Sequence, residues 1–466
     1  MRHVGWILDL YPKNGRMTIW LKPRNGKCVK LVDDWKPTVH VASDLTDLID
    51  LAAQPFMPPS TFTEKFVRAG DSEKRKVLGI EVKSEVQAVS LARRIQRYGN
   101  HSKFRLYDVD VPFTQRYLYQ KELFPLAFVE ADYTSENVQW TLKDSRETLD
   151  YDLPNFKTIR IQIQTKKKTG NLPGYDDELG FVKILCDNET FQIESGDESE
   201  KICGLVDAFS DVDPDVVLTD GGDSFIFPYL ANRAQSLRID DKLILGREKT
   251  SLKIYEAHGH SYFSYGKILY RETAARLFGR LHIDEANAFF VNDCGLDGLF
   301  EVARTCIIPI QRASRTTIGT SMTSLQLYHA IKSNILIPWN KNEPEEFKDG
   351  NEIVTADRGG FIFEPKVGIH EDVGELDFSS LYPTLMLRKN LSGETVNCEC
   401  CSTSNMIPEL GFNVCEKWTG IVPRSLAILL RKRAQYKKFR KTALDPPKRL
   451  RYDQRQAALK WILVCS

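Results

Sequence analysis

Apolar and polar residues alternate along the first part of the chain in the pattern of β-strands. Residues 3–33 contain three alternating runs separated by Asn-Gly turn signals. Further on, Ser84 and Gln87 form a capping-box pattern that predicts the start of a helix, and Gly99 predicts its end. We interpret residues 1–130 as an N-terminal α+β domain.

Strands and helices alternate in the next part of the chain. Residues 158–165 have the period-two pattern of a strand, and residues 213–234 predict a strand, a glycine-rich loop and a helix. This order is typical of an α/β domain, which we assign to residues 131–335.

The last part of the chain returns from a polar, glycine-rich stretch to a short strand that ends at Asp377, within a region that we assign to residues 336–422. A basic helix with leucines on one face is then predicted from Pro423 to about Lys441. Residues 445–447, Asp-Pro-Pro, separate it from a second basic helix, and the two helices form a fourth region, residues 423–466.

Composition becomes informative only when charge is mapped along the chain. The 466 residues are 42% hydrophobic and 27% charged, with a formal net charge of +1, as in an ordinary globular protein. Between Arg424 and Lys460, however, 13 Lys and Arg residues face two Asp residues, which indicates a polyanion site or a solvated helix face. Apolar runs shorter than the ~18 residues of a membrane span and an N-terminus without a signal-peptide pattern predict a cytoplasmic protein with no membrane partner.

The segment ELDFSSLYP, residues 375–383, combines three chemical possibilities. Asp377, at the end of a predicted strand, could hold a divalent cation. The backbone amides that follow could donate to phosphate oxygens, and the ring of Tyr382 could lie under a sugar. The same segment also fits a strand, turn and helix with a solvated Asp.

The pattern D-x-x-S-L-Y-P that begins at Asp377 resembles the first palm motif of family B DNA polymerases. The resemblance implies that Asp377 is the catalytic carboxylate that binds Mg²⁺, with the backbone carbonyl of Phe378 as a second ligand. It also implies that the amides of Ser380 and Leu381 contact the triphosphate, and that Tyr382 excludes a ribose 2′-hydroxyl.

The two basic helices resemble the fingers helices of the same family. Arg433 and Lys437 match the first fingers motif, and Arg455 and Lys460 match the second. The resemblance implies that these residues bind the nucleotide, because cations neutralise phosphate charge as pyrophosphate departs. The Asn-Ser that the family has after the lysine is Val464-Cys465 here, a departure that fits an archaeal paralogue group with a degenerate exonuclease site.

Other segments resemble that group as well. Gly359 and Gly360 are similar to a Y-x-G-G linker that contacts DNA, although Asp357 replaces its tyrosine, and residues 110–119 and 315–338 are also similar. The resemblance covers essentially the whole chain. It implies an α/β and α+β multidomain fold with an N-terminal domain, an inactivated RNase H-like exonuclease domain, a partial palm and truncated fingers.

The expected exonuclease acids are replaced by neutral residues. The family's first motif, D-I-E, corresponds to Gln162-Ile163-Gln164, and Ile226 stands where the second motif has an Asp. In the third motif Asp297 aligns with the acid, and Asp293 takes the place of a tyrosine. Two-metal hydrolysis requires carboxylates that hold the cations. We therefore predict no 3′–5′ exonuclease activity and exclude a free-standing nuclease.

Four of the ten cysteines cluster, at Cys398, Cys400, Cys401 and Cys415. Four thiolates can bind Zn²⁺ tetrahedrally, and the location between palm and fingers favours a structural role. The C-x-C-C spacing is not that of a standard zinc knuckle, so free thiols and an iron–sulfur cluster remain alternatives.

The family needs a second palm carboxylate that follows the second fingers motif, whereas this sequence stops at Ser466. Asp377 alone cannot hold two catalytic metals, so we expect a separate C-terminal chain to supply the second carboxylate and the thumb. A truncated or interrupted gene product and a non-catalytic DNA-binding remnant are the alternatives. The resemblance also implies primer–template DNA and deoxynucleoside triphosphates as ligands, a sliding clamp as a partner, nucleoid association, and a role in DNA replication or repair.

Overall fold

A computed structural model of the chain describes residues 1–166, 173–186, 189–252, 260–264, 267–271, 274–341, 347–356, 362–408 and 410–465. Two compact units form, each from separate parts of the sequence. The first contains Met1–Pro37, Pro112–Ser324 and Lys432–Ile462, and the second contains Thr38–Val111, Leu325–Arg431 and the residues after Ile462. These units differ from the four domain ranges assigned above, which remain predictions.

The strands are β1 (Arg2–Lys13), β2 (Arg16–Lys22), β3 (Val29–Asp33), β4 (Thr38–Ala42), β5 (Ser60–Lys65), β6 (Arg75–Glu81), β7 (Arg105–Tyr107), β8 (Phe128–Thr134), β9 (Asn137–Leu142), β10 (Thr158–Lys166), β11 (Glu178–Cys186), β12 (Glu189–Ile193), β13 (Val216–Thr219), β14 (His260–Ser264), β15 (Lys267–Arg271) and β16 (Leu281–Asp284).

The α-helices are α1 (Leu45–Ala52), α2 (Glu85–Tyr98), α3 (Phe113–Gln120), α4 (Glu198–Val212), α5 (Phe227–Ser236), α6 (Phe289–Cys306), α7 (Ile310–Ala313), α8 (Ile318–Lys332), α9 (Gly350–Ala356), α10 (Leu381–Arg388), α11 (Ile421–Thr442) and α12 (Pro446–Val464). None of the helices in the described ranges is both long and apolar enough to cross a membrane.

Two five-stranded sheets form in the first unit. One is antiparallel, in the order β3-β2-β1-β8-β9. The other has the order β12-β11-β10-β13-β16, in which β13 pairs in parallel with both β10 and β16. Apolar residues of this mixed sheet and of α4 and α5 share one buried core. The strands predicted in residues 3–33 and 158–165, and the α/β character of the second region, are confirmed.

The second unit contains a four-stranded sheet with the order β5-β6-β4-β7. Along the chain its elements follow one another as β4-α1-β5-β6-α2-β7, which is the ferredoxin-like arrangement. The predicted cap of α2 is confirmed, because the backbone N–H of Gln87 donates to Ser84 Oγ at 3.1 Å and the helix ends at Gly99. The side chain of Gln87 reaches back one residue further than expected, to the backbone N–H of Lys83 at 2.7 Å.

The two basic helices predicted near the end of the chain are α11 and α12. Pro446 begins α12, where a missing N–H is not needed for helix hydrogen bonds. Leucine and tyrosine side chains on one side of α11 and α12 are buried, including Leu429, Tyr436 and Leu459. Their basic residues therefore divide between a buried and a solvent-facing side, which decides what each of them can contact.

Candidate functional site

The segment that carries Asp377 is extended and open to solvent. Residues 374–378 have no regular secondary structure, and the side chains of Leu376 and Phe378 are 100% and 74% exposed. The predicted strand ending at Asp377 is therefore wrong for this structure. A strand needs a neighbour for its hydrogen bonds, and none of the strands in the described ranges pairs with this segment.

The residues after Asp377 form the predicted turn into a helix. Ser380 takes a left-handed backbone conformation, with φ of 51°, and α10 begins at Leu381. Asp377 and Tyr382 both face solvent, Tyr382 with 66% of its surface exposed. An exposed carboxylate and an exposed aromatic ring thus lie on either side of the start of α10. Gly359 and Gly360, the predicted DNA-contacting residues, lie outside the described residues.

Three of the four predicted basic residues of the fingers helices reach solvent. Lys437 on α11 and Lys460 on α12 are exposed, and Arg433 is half-buried. Partial burial lowers the pKa of the Arg433 guanidinium, although an arginine stays charged at neutral pH. All three residues are positively charged and at least partly exposed, as a triphosphate-binding role would require.

Arg455 is placed differently from the prediction. Its side chain is fully buried and donates to the backbone oxygen of Leu149 at 2.9 Å and to Asp297 at 3.2 Å. Its guanidinium also lies 4.0 Å from the ring centroid of Tyr151. The guanidinium of Arg455 therefore contacts other groups of the protein and is not open to solvent, where a nucleotide could reach it.

A buried ionic network surrounds Arg455 within the first unit. Glu301 on α6 accepts from Lys432 Nζ at 2.6 Å and from the hydroxyls of Tyr151 at 2.8 Å and Tyr436 at 2.9 Å. Burial tends to raise the pKa of Glu301, but the charges of Lys432 and Arg455 outweigh it and lower the pKa to about 2. Glu301 is therefore an ionised carboxylate at neutral pH.

The close approach of α12 to α6 depends on glycine. A Cβ added to Gly298 would lie 3.0 Å from the backbone oxygen of Gln454 and 3.3 Å from the Cβ of Ala458. The added Cβ would also lie 2.5 Å from the Cβ of Cys294, so a larger residue at position 298 requires a shift within α6 and a small shift of α12. The sequence offered no sign of this contact, since Gly298 and Glu301 on α6 are far from Arg455 along the chain.

The neutral residues at the predicted exonuclease positions line one cleft. Gln162 and Gln164 lie two residues apart on the same exposed face of β10. Together with Ile226 they border a cavity of about 850 Å³. In the antiparallel pair of β10 and β11, Lys183 lies opposite Gln162. The spacing that would place two carboxylates on one face of the strand is present, but the side chains are amides.

Asp297, the acid retained in the third motif, is not among the residues that line this cleft. Its Oδ1 instead contacts Arg455 at 3.2 Å and Arg451 at 3.5 Å, both on α12. Asp293, at the position of the family's tyrosine, accepts a hydrogen bond from the indole of Trp461. Both acids therefore contact α12, and Asp297 has two cationic partners.

Two buried carboxylates near the ends of β13 and β16 were missed in the sequence. Asp223 accepts from Arg315 Nε at 2.6 Å, and Asp284 accepts from the backbone N–H groups of Gly221 at 2.8 Å and Asp223 at 2.9 Å. Nearby, burial and the charge of Arg315 lower the pKa of His282 to about 4. The oxygens of both acids are satisfied by the protein, which indicates that they brace the sheet end.

The four clustered cysteines form a compact sulfur site in the second unit. Their Sγ atoms all lie within 4.8 Å of one another. Cys400 Sγ lies 3.7 Å from Cys401 Sγ and 3.6 Å from Cys415 Sγ. Sulfurs that surround Zn²⁺ tetrahedrally at about 2.3 Å are about 3.8 Å apart, so these separations fit the ion. They are far too long for disulfides.

The loop around the sulfurs is held by polar contacts. Asn413 Nδ2 donates to the backbone oxygens of Cys398 at 3.0 Å and Cys401 at 3.1 Å, and lies 3.4 Å from Cys398 Sγ. The backbone N–H of Glu416 donates to Cys401 and lowers the pKa of its thiol to about 7. By contrast, burial raises the pKa of the Cys398 thiol to about 12. Of these two cysteines, Cys401 is therefore the one whose surroundings favour the thiolate form that metals bind.

The same loop also caps α11. Glu394 Oε1 accepts from the backbone N–H of Ile421 at 2.6 Å, and Ser392 Oγ accepts from that of Val422 at 3.3 Å. Asn390 fixes the loop end through the backbone oxygens of Cys415 and Trp418, each at 2.9 Å. Order in the cysteine loop is therefore coupled to the start of α11.

Comparison with known proteins gives two family matches. Residues 308–465 match the model of DNA polymerase family B. Residues 180–290 match the model of the exonuclease domain of the same family. The first range contains the Asp377 segment, the cysteines and both basic helices, and the second contains Ile226 and most of the mixed sheet.

Curated relatives and a solved structure agree with these matches. The chain is 27% identical over 402 residues to a DNA polymerase of Pyrococcus horikoshii, with 76% of this chain and 31% of the relative covered. It is also 27% identical to DNA polymerase 1 of Pyrococcus abyssi, with 76% and 49% covered. The chain thus spans between about a third and a half of the length of these relatives.

The fold resembles that of the family B DNA polymerase from Pyrobaculum calidifontis. The TM-score is 0.72 at 20% sequence identity, and the match covers 99% of this chain and 67% of that structure. The fold class expected from the sequence motifs is confirmed by these comparisons.

Proposed function

We propose that this chain, which contains the N-terminal region of an archaeal-type family B DNA polymerase, takes part in template-directed transfer of deoxynucleotides to a primer. The observation that carries the proposal is the polymerase match over residues 308–465, because this range contains Asp377, Tyr382 and the basic helices together.

In this proposal Asp377 supplies one carboxylate of a two-metal site, with the Phe378 carbonyl as a further oxygen ligand. Mg²⁺ suits such a set of oxygens, and when bound it polarises the phosphate and neutralises developing charge. Asp377 is exposed and free of a protein cation in the described structure. A second carboxylate must come from outside residues 1–466, either from the same polypeptide or from a separate C-terminal chain.

The exposed apolar residues near Asp377 support completion of the palm by further strands. Val367, Ile369 and Leu376 are 101%, 98% and 100% exposed. An extended segment with this much apolar surface gains stability when a sheet covers it. Pairing would also give residues 374–378 the strand conformation that positions Asp377.

The nucleotide would be held by cations and selected by a ring. Arg433, Lys437 and Lys460 supply charge for the triphosphate, and the amides of Ser380 and Leu381 supply donors at the start of α10. Tyr382 would lie beneath the sugar and clash with a 2′-hydroxyl. Primer–template DNA is the second substrate, and a sliding clamp remains a proposed partner.

We further propose that this chain does not proofread. With Gln162, Gln164 and Ile226 at these positions, Asp220 is the one carboxylate among the described residues that line the cleft on β10, and one carboxylate cannot hold two cations. Asp297, the remaining acid, is paired with Arg451 and Arg455. The cysteine loop is proposed to hold a structural Zn²⁺ that stabilises the start of α11.

Primer extension tests the polymerase proposal. The chain is assayed on a labelled primer–template with Mg²⁺ and deoxynucleotides, first alone and then with a segment that carries the second carboxylate and the thumb. We expect extension only in the completed protein, and Asp377→Ala should abolish it while DNA binding is retained.

Two outcomes would contradict the proposal. Extension by residues 1–466 alone would show that a second carboxylate is not needed. DNA binding by the completed protein without any extension would favour the non-catalytic DNA-binding alternative. Glu371→Ala is the matched control, because it removes an exposed carboxylate from the same segment at a position outside the proposed metal site.

A further inference from the structure

A basic pocket lies at one end of the four-stranded sheet of the second unit, and none of the residues proposed above for catalysis lines it. Its volume is about 490 Å³, and it is formed by the turn between β4 and α1, the segment between β5 and β6, and the turn before β7. The charged residues that line it are Arg68, Arg75, Lys76, Lys103 and Arg105, against Asp44 and Asp71.

Several of these charges already have partners within the protein. Asp71 Oδ2 accepts the backbone N–H groups of Val67 at 3.1 Å and Arg68 at 2.9 Å, and Lys103 forms an ion pair with Asp47 at 2.8 Å. By contrast, the side chains of Arg68 and Arg75 are exposed and have no carboxylate within ion-pair distance among the described residues. Their guanidinium donors are therefore available to an external anion.

The pocket has a firm apolar base. Val67 is buried and packs with Val77, Tyr107 and Leu336 in a small core, with Ala42 against it. Two of these residues, Val67 and Ala42, also line the pocket. The loop that carries Arg68 is thus anchored beside the strand that begins with Arg75, which reduces the ordering cost of binding.

The chemistry of the lining identifies the class of ligand. Planar guanidinium groups match the oxygens of a phosphate. None of the lining residues is aromatic, so the pocket offers no ring on which a nucleobase could stack. An open, basic pocket without aromatic residues is suited to the sugar–phosphate backbone and not to the base.

We propose that this pocket binds the phosphodiester backbone of single-stranded nucleic acid without regard to sequence, with Arg68 and Arg75 each contacting a phosphate. The choice of nucleic acid over another phosphate compound rests on the proposed function in DNA synthesis. A single strand can bend into a recess of this size, whereas a duplex is stiff over its persistence length of about 150 base pairs.

Fluorescence anisotropy with a labelled 20-nucleotide oligo-dT tests the proposal on the full chain. Each contact with a single strand contributes about 0.7 to the slope of log K against log salt concentration. Arg68→Gln with Arg75→Gln should therefore reduce the slope by about 1.4. If binding at 1 M salt is unchanged, affinity at 0.1 M salt should fall by roughly 25-fold.

The control variant is Lys83→Gln with Arg93→Gln, which removes the same charge from exposed positions beside and on α2. It should leave the slope within about 0.3 of that of the unmodified chain. An equal loss of affinity in both variants would mean that only net charge matters. Equal weakening of a 20-base-pair duplex would also overturn the proposal.

Competition separates the possible sources of phosphate. Inorganic phosphate added at constant ionic strength should not displace oligo-dT at millimolar concentration, and displacement would show a site for small phosphate compounds. Primer extension by the completed protein is measured in parallel. If the completed protein does not extend the primer, but Arg68→Gln with Arg75→Gln still weakens oligo-dT binding, only the proposed function is refuted. If this double variant binds oligo-dT as tightly as the unmodified chain, only the pocket proposal is refuted.

Discussion

The buried carboxylate of Glu301 provides the most direct test of the contact between α6 and the helices α11 and α12. Glu301→Gln keeps the size of the side chain but removes the charge that Lys432 and Arg455 surround. The pKa of Glu301 is about 2 in the folded chain against an ordinary value of 4.5. At 1.36 kcal/mol per pKa unit, this difference corresponds to about 3 kcal/mol of stability at neutral pH.

The sign of the pH dependence follows from the lowered pKa. The contribution of Glu301 is fully present above pH 4.5 and is lost as the pH falls toward 2, because the unfolded chain takes up the proton first. Glu301→Gln should therefore destabilise the first unit by about 3 kcal/mol at pH 7. The difference from the unmodified chain should shrink steadily between pH 4.5 and pH 2.

Urea unfolding followed by circular dichroism measures this difference. Asp453→Asn is the matched control, because Asp453 pairs with Arg440 at 2.7 Å on the surface of the same two helices. An exposed pair contributes less than about 1 kcal/mol. If Glu301→Gln and Asp453→Asn cost the same at pH 7, or if the cost of Glu301→Gln does not change below pH 4.5, the buried network is not the stabilising contact described here.

Three further predictions concern the proposed activities. With 5′-labelled single-stranded DNA and Mg²⁺ or Mn²⁺, no metal-dependent shortening from the 3′ end is expected, and shortening that Asp297→Ala abolishes would disprove the loss of proofreading. Purified protein should carry about one Zn²⁺ per chain, and Cys400→Ser should lower metal content and melting temperature together, whereas metal-free protein with an unchanged melting curve would favour free thiols. In a completed polymerase Tyr382→Ala should admit ribonucleotides more readily, and an unchanged preference for deoxynucleotides would remove the proposed role of this ring.

Local sequence signals predicted the regular elements well. Period-two alternation located β10, the capping residues located both ends of α2, and Asp-Pro-Pro located the break between α11 and α12. Each of these signals acts within a few residues, through backbone hydrogen bonds, caps and missing donors. The four cysteines were also identified because they cluster within eighteen residues of the sequence, and in the structure their sulfurs lie together.

The strand expected at Asp377 failed for a reason that local sequence could not reveal. Its alternating residues fit a strand, but a strand is stable only beside another strand, and no described strand lies beside residues 374–378. The sequence pattern indicates a segment that can form a strand when another strand pairs with it. In the structure residues 374–378 are extended and exposed instead.

The sequence by itself determined which side chains are available: a carboxylate at position 377, amides at 162 and 164, four clustered thiols and two basic helices. Only the tertiary structure decided which charges face solvent. Arg455 and Lys460 lie five residues apart on one helix, yet Arg455 is buried against Tyr151 and Lys460 is exposed. Burial depends on contacts with distant parts of the chain, and a charge can be buried only where such contacts supply its partners.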